Sequence, residues 1–280
     1  MNLMLFRSLW TNGFDLDAAI ADCRAGAFDG VEGPVGADGF VSKLRDSGVP
    51  FIAEITTGGG YVPEQTASFQ DHLESLHRKL EASVECEPVL VTVLAGSDCW
   101  AFEKNVEFFG RAMEIARTFG VPASFETHRS RSMFNPWVTR DLLAQLPDLK
   151  LTCDFSHWCC VCERLVMDGE AELLATCAER AAHVHARVGY EQGPQVPHPG
   201  APEWREALKA HERWWEVIWD ALESQGAPAA TMTPEFGPDG YLQTLPFGGE
   251  PVADLDDVNH WMATRQRARF TKRKSISYEN

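Results

Sequence analysis

PASFETHRSRSMFNPWVTRDLLAQLPDLKLTCDFSH, residues 122–157, is the stretch whose reading decides the fold. Two short β-rich runs, PASFETH and LKLTCDFSH, bracket PWVTRDLLAQL, which carries apolar residues at three- and four-residue spacing. The pattern is strand, helix, strand. Each strand runs from apolar residues into one acid, Glu126 in the first and Asp154 in the second.

The same unit recurs in both directions. Upstream come the strands LMLFRSLW (3–10), FDGVEGP (28–34), PFIAEITT (50–57) and PVLVTVLAG (88–96). The segments beginning at 15, 37, 68 and 102 follow them as helices. Downstream, a helix through ERLVMDGEAELLATCAER (163–180) leads to the strand AAHVHARVG (181–189). The helix 202–226, the strand AATMTPEFG (229–237) and a last helix from 254 complete the series. Eight alternating units predict a parallel sheet closed into a single (β/α)8 TIM barrel. A doubly wound sheet is the alternative, but no G-x-G-x-x-G follows the first strand. The 280 residues fit one such domain, which typically takes about 250. A basic, flexible tail is expected from about 270, where RQRARFTKRK reads as the solvated end of a last helix and a frayed terminus.

Composition excludes some functions. Net charge is −16, from 25 basic and 41 acidic residues, so binding to a phosphate backbone is disfavoured. No apolar run approaches the roughly 20 residues of a membrane span. The N-terminus reads as a first strand and not as a signal peptide. Four of the eight cysteines cluster at Cys153, Cys159, Cys160 and Cys162 without a paired C-x2-C spacing. Free thiols in a reducing cytoplasm account for them.

Four strand ends carry candidate ligands: Glu126, Asp154, His185 and Glu235. A closed parallel barrel brings such ends to one cavity. Three carboxylates and one imidazole at a point call for a cation. Oxygen-rich coordination with one nitrogen suits Mn2+, Mg2+ or Co2+, with Zn2+ and Fe2+ as further candidates. Taken singly, each acid could instead cap a helix or form an ion pair. Glu54 in FIAEITT could bind a substrate hydroxyl, help the metal shell or pair with an arginine. Arg7, Arg129, Arg131 and Arg187 lie in or after strands and could hold a carboxylate or phosphate. Trp10, Trp100, Trp137 and Trp158 follow four strands and could face a sugar ring or pack the rim. Trp214, Trp215 and Trp219 belong to a core or subunit interface. The Gly- and Pro-rich loop 188–202 reads as a lid or a dimer contact.

These residues together resemble the xylose isomerase-like TIM-barrel superfamily. The resemblance rests on Glu126, on Asp154-Phe155-Ser156-His157, on His183-Val184-His185 and on Glu235, and it covers the whole chain. It implies one divalent metal held by Glu126, Asp154, His185 and Glu235, with His185 as the ligand over His183. It implies that Glu126 and Glu235 also serve as acid and base, and that His157 contacts substrate oxygen. It further implies a dimer or tetramer. Ketose 3-epimerases carry Arg six residues after the metal histidine, where this chain has Glu191, the nearest arginine being Arg187. Aldose isomerases carry Lys two residues after the first Glu, where this chain has His128. Glu-Thr-His at 126–128 looks more like 3-dehydroshikimate dehydratases, which makes His128 a candidate acid/base; its alternative is a hydrogen bond that supports a ligand from behind.

The expected function is therefore a divalent-metal-dependent isomerase or epimerase of carbohydrate metabolism. It would act on a sugar or polyol-derived carbonyl compound through a metal-stabilised enediolate. Glu126, Glu235 and His128 are its candidate catalytic residues; His157, Arg187, Glu54 and Trp10 are its substrate contacts. A dehydratase or lyase at the same site is the alternative. A DNA-repair endonuclease is disfavoured by charge, and a non-catalytic partner subunit by the intact ligand set.

Overall fold

The computed structural model describes residues 1–238 and 240–277, with side chains through 273. Eight parallel strands close in sequence order: β1 (Asn2–Ser8), β2 (Gly30–Gly33), β3 (Phe51–Thr56), β4 (Leu90–Leu94), β5 (Ala123–Glu126), β6 (Leu151–Cys153), β7 (Ala181–His185) and β8 (Ala229–Thr233). Closure is made where β1 pairs with β8, from Asn2 opposite Ala229 to Leu5 opposite Met232. The expected single barrel is the observed architecture. The helices are α1 (Leu16–Arg24), α2 (Phe40–Ser47), α3 (Phe69–Val84), α4 (Phe102–Phe119), α5 (Pro136–Gln145), α6 (Ser156–Val161), α7 (Ala171–Arg180), α8 (Arg205–Ser224) and α9 (Leu255–Ser277).

Local chemistry starts several of them. Asp15 accepts from the Ala18 N–H at the start of α1. Ser68 and Asp71 form a reciprocal capping box on α3. Asn135 caps α5 and Pro136 takes its first turn, where no N–H is needed. Such caps are each worth about 1 kcal/mol. The short helix α6 lies outside the elements that periodicity predicts. It begins directly after Asp154, whose carboxylate accepts from the Ser156 N–H at 3.0 Å, so the acid that closes β6 also starts a helical turn.

The main apolar core lies between barrel and helices, and Trp214, Trp215 and Trp219 of α8 are buried in it. Inside the barrel, Phe6, Ile52 and Leu90 form a small separate plug. Above the plug the lumen turns polar: the Thr152 hydroxyl meets those of Thr92 at 3.1 Å and Ser124 at 2.6 Å. Side chains two apart face the same way along a strand. The series Ser124–Glu126, Thr152–Asp154, His183–His185 and Thr231–Thr233–Glu235 therefore carries a hydroxyl or imidazole layer up to a ligand layer.

The C-terminal segment differs from expectation. α9 continues through Ser277, and residues 278–280 lie outside the described part. Arg265, Arg269 and Arg273 recur every four residues and meet Glu212, Glu216 and Asp220 of α8 in the same spacing. Parallel helices in register turn the basic run into a packed stripe, which gives the chain after 270 a partner. The loop 188–202 is also held: the Gln195 amide bonds both ways to the Gly237 backbone, at 2.8 and 3.2 Å.

Candidate metal centre

Glu126 ends β5, Asp154 follows β6, His185 ends β7 and Glu235 lies two residues past β8. One donor atom from each falls within 4.8 Å of the others, and all four are buried. His185 Nδ1 is 3.2 Å from Glu235 Oε2 and 3.5 Å from Glu126 Oε1. Despite that closeness, His185 Nδ1 and Glu235 Oε2 make no hydrogen bond. Buried polar atoms without partners are rare in folded proteins. Two of them directed at the same point, beside two more carboxylates, fit a divalent cation with oxygen-rich coordination.

The electrostatics agree. Burial pushes Glu126 up to about 7 against the pull of His185. Burial also raises Asp154, although the guanidinium of Arg187 opposes it. At Glu235 burial is outweighed by His185 and Arg187, which hold the carboxyl below its ordinary value. His185 is itself raised, because Glu235, Glu32 and Glu126 overcome the cost of burying its charge. Glu54, on β3 across the lumen, is pushed up to about 8 by burial and by Glu235, Glu32 and Glu126. Like charges gathered in a low dielectric cost several kcal/mol per ion unless paired.

A cavity of about 360 Å³ opens above this cluster. Glu126, His128, Arg187, Glu235 and Tyr241 line one side, and Trp10, Phe14, Val35, Glu54 and Tyr61 the other. Its size is within the usual range for small-molecule sites, about 300–1,000 Å³. Asp154 and His185 lie beneath this lining.

Several of the residues marked in the sequence are engaged by the protein itself. His157 is fully buried and does not line the cavity. Its ring lies against His128, centroids 4.0 Å apart, and its Nε2 accepts from Arg187 at 2.7 Å. Arg187 lines the cavity, but its guanidinium is engaged by Asp154, the Ser156 hydroxyl at 3.2 Å and the Glu235 carbonyl at 3.3 Å. It stands as a fixed counter-charge to the acids. Of the four strand-end tryptophans only Trp10 reaches the cavity. Trp158 is buried and donates to the Met133 carbonyl, Trp137 donates to Glu170, and Trp100 packs on His72 and Phe108. A Cβ on Gly237 would lie 2.1 Å from the Trp10 ring, so glycine at that point lets the indole seat. Arg7 pairs with Asp22 and Asp256 in the helical layer. Arg131 gives its protons to the carbonyls of Thr57, Gly60, Tyr61 and Gly96, and so fixes the loop after β3.

His128 donates from Nδ1 to the Arg129 carbonyl, which leaves Nε2 as an acceptor, 3.5 Å from the Tyr241 hydroxyl. Burial, with the charges of Arg187 and Arg131, holds it neutral. Sequence reasoning misses two residues of the site. Tyr241 sits in a loop without periodicity; its ring stacks edge-on to Trp10 and lies under the guanidinia of Arg129 and Arg187. Glu32 lies in the short β2 and is 1% exposed, and the signal that could have found it is an acid between apolar neighbours in FDGVEGP.

No family model matches the sequence, and no curated protein matches it. Solved structures do match. That of an L-ribulose 3-epimerase superposes with a TM-score of 0.65 at 13% identity, covering 100% of this chain and 98% of its own. The IolI protein with a bound zinc atom gives 0.63 at 10% identity, covering 96% of each chain. Endonuclease IV from Thermus thermophilus gives 0.62 at 14% identity, covering 96% of this chain and 99% of its own. At such identities the likeness is one of fold, a closed (β/α)8 barrel.

Proposed function

We propose that this protein is a divalent-metal-dependent isomerase or epimerase of a sugar or polyol-derived carbonyl compound. One observation carries the proposal: Glu126, Asp154, His185 and Glu235 converge, buried, with His185 Nδ1 and Glu235 Oε2 left without hydrogen bonds, under a cavity that two of the acids line. Matches of the fold to a sugar epimerase and to a zinc-bound protein support the same reading.

A divalent cation held by these four side chains would act as a Lewis acid on a carbonyl and its neighbouring hydroxyl. Glu126 and Glu235 both reach the cavity from different strands, so one can take the proton α to the carbonyl. The other can return a proton to the neighbouring carbon or to the opposite face. Arg187 fixes Asp154 and the Glu235 backbone, which keeps the acids in place through the proton transfers. Trp10 and Tyr61 offer ring surface to the C–H faces of a sugar-like substrate. The eight free cysteines fit a reducing cytoplasm, and among the described residues no helix is long and apolar enough to cross a membrane. A homo-oligomer belongs to this reading as well.

The acceptor Nε2 of His128, at the cavity with only a long contact to the Tyr241 hydroxyl, favours a second reading, a dehydratase or lyase, in which His128 and a glutamate divide base and acid duties. The products separate the two. Isomerisation keeps the substrate mass, whereas dehydration loses water and creates a conjugated chromophore.

Metal analysis of the purified protein beside Glu235→Gln and Asp154→Asn is the test. About one divalent ion per chain is expected, with affinity falling in both variants by more than the roughly 10–100-fold typical of changes to residues behind the ligands. Ketoses, aldoses, keto-inositols and dehydroshikimate-like acids are then screened by mass and absorbance. A wild type that takes up no divalent metal after reconstitution ends this reading.

A further inference from the structure

Behind His185 lies a second polar cluster that neither acts on substrate nor reaches the cavity. Glu32 Oε1 is 3.0 Å from His185 Nε2, and Glu32 Oε2 is 3.1 Å from His183 Nε2. The Thr233 hydroxyl donates to the same Oε2. His183 is anchored in turn through Nδ1 to the Thr231 hydroxyl at 2.8 Å, which gives its own proton to the Ala182 carbonyl. Glu32 is thus clamped from β7 and β8 while it projects from β2. Every polar atom facing it is hydrogen-bonded, in contrast to the open Nδ1 on the other side of the His185 ring.

An imidazole that donates from one nitrogen presents a lone pair at the other. A carboxylate behind a ligating histidine fixes both its tautomer and its ring orientation. We propose that Glu32 is a positioning residue. It holds the Nε2–H of His185, keeps the Nδ1 lone pair directed at Glu126, Asp154 and Glu235, and thereby sets the affinity of that cluster for a divalent cation. This inference rests on the metal-dependent reading above. The same three residues, Glu32, His183 and His185, are close enough to form a metal group of their own. Their donor atoms are already spent on one another and on Thr231 and Thr233, which argues for support and against a second ion.

The test uses Zn2+ as probe on the full chain. Wild type, Glu32→Gln and Thr233→Val are compared by chelator competition, by stoichiometry at saturation, and by histidine 15N NMR of the zinc-loaded protein, with circular dichroism as a check on folding. Glu32→Gln should weaken zinc binding about 10–100-fold and change the His185 Nε2–H resonance, while stoichiometry stays at one. Thr233→Val, nearly isosteric, should weaken it less and keeps the test decisive where Glu32→Gln folds poorly. A folded Glu32→Gln protein with wild-type affinity and an unchanged His185 signature overturns the proposal. So does a fall from two zinc ions to one, which would make the triad a second metal site. A wild type that binds no zinc fails the functional reading and this one together; a wild type that binds it equally with Glu32→Gln fails this one alone.

Discussion

From β5 to β8 the mouth of the barrel is set with Glu126, His128, Asp154, His185, Arg187 and Glu235. From β1 to β4 it is set with Trp10, Phe14, Pro34, Val35, Ile55 and Tyr61. The first half is charged, buried and cross-linked by hydrogen bonds. The second is mostly apolar, with Thr56 and Lys79 also in its lining, and Phe14 and Tyr61 extend into solvent. Two acids of the second half, Glu32 and Glu54, break the pattern, and both act electrostatically on the first half. The difference separates two tasks. One half supplies donors whose positions must hold to a fraction of an ångström; the other supplies a wall whose shape selects what can approach them.

Removing the counter-charge from the charged half is the strongest way to break this comparison. Arg187→Met leaves Asp154 and Glu235 buried beside each other without their guanidinium. The metal-free protein should lose about 3–5 kcal/mol, visible in urea unfolding, and added divalent cation should recover part of it. A metal-free stability equal to wild type would show that the acids are compensated elsewhere.

Acid addresses both halves through a buried neutral histidine on each side. His211 accepts from the Gly189 N–H at 3.2 Å and steadies the loop after β7, while His72 meets the Thr57 hydroxyl at 2.8 Å after β3. Burial lowers each from 6.5 to about 4. The unfolded chain therefore takes up these protons first. Their stabilisation is complete above pH 6.5 and is lost as pH falls through about 4. For His211 the loss is about 3 kcal/mol, with less for His72. His211→Gln should flatten that limb of the stability–pH curve; an unchanged slope would mean that other groups dominate.

The apolar half gives the smallest effect. Val35→Ala trims the apolar cavity wall and removes no metal-ligand candidate. It should leave metal content and kcat unchanged and raise KM by roughly tenfold or less. A fall in kcat or metal content would show that the two halves are not separate.

The sequence by itself determined the barrel and the positions of the four converging donors. Both are local: a strand–helix alternation, and an acid or histidine at the end of a short apolar run, are written in neighbouring residues. The period-2 series from Thr231 to Glu235 and from His183 to Arg187 is legible in the same way. Tertiary structure alone decided what stands behind and beside those donors. Glu32 reaches His183, His185 and Thr233 across 151, 153 and 201 residues of chain, and that meeting depends on how the closed barrel sets its strands against one another. Tyr241 enters the site from an irregular loop, and Arg187, while lining the cavity, also pairs with carboxylates carried on other strands. The basic run after 265 gains a partner only when α8 and α9 lie parallel. Burial and the neighbouring charges, which together shift the groups of the cluster, belong to the assembled fold and to no single segment of it.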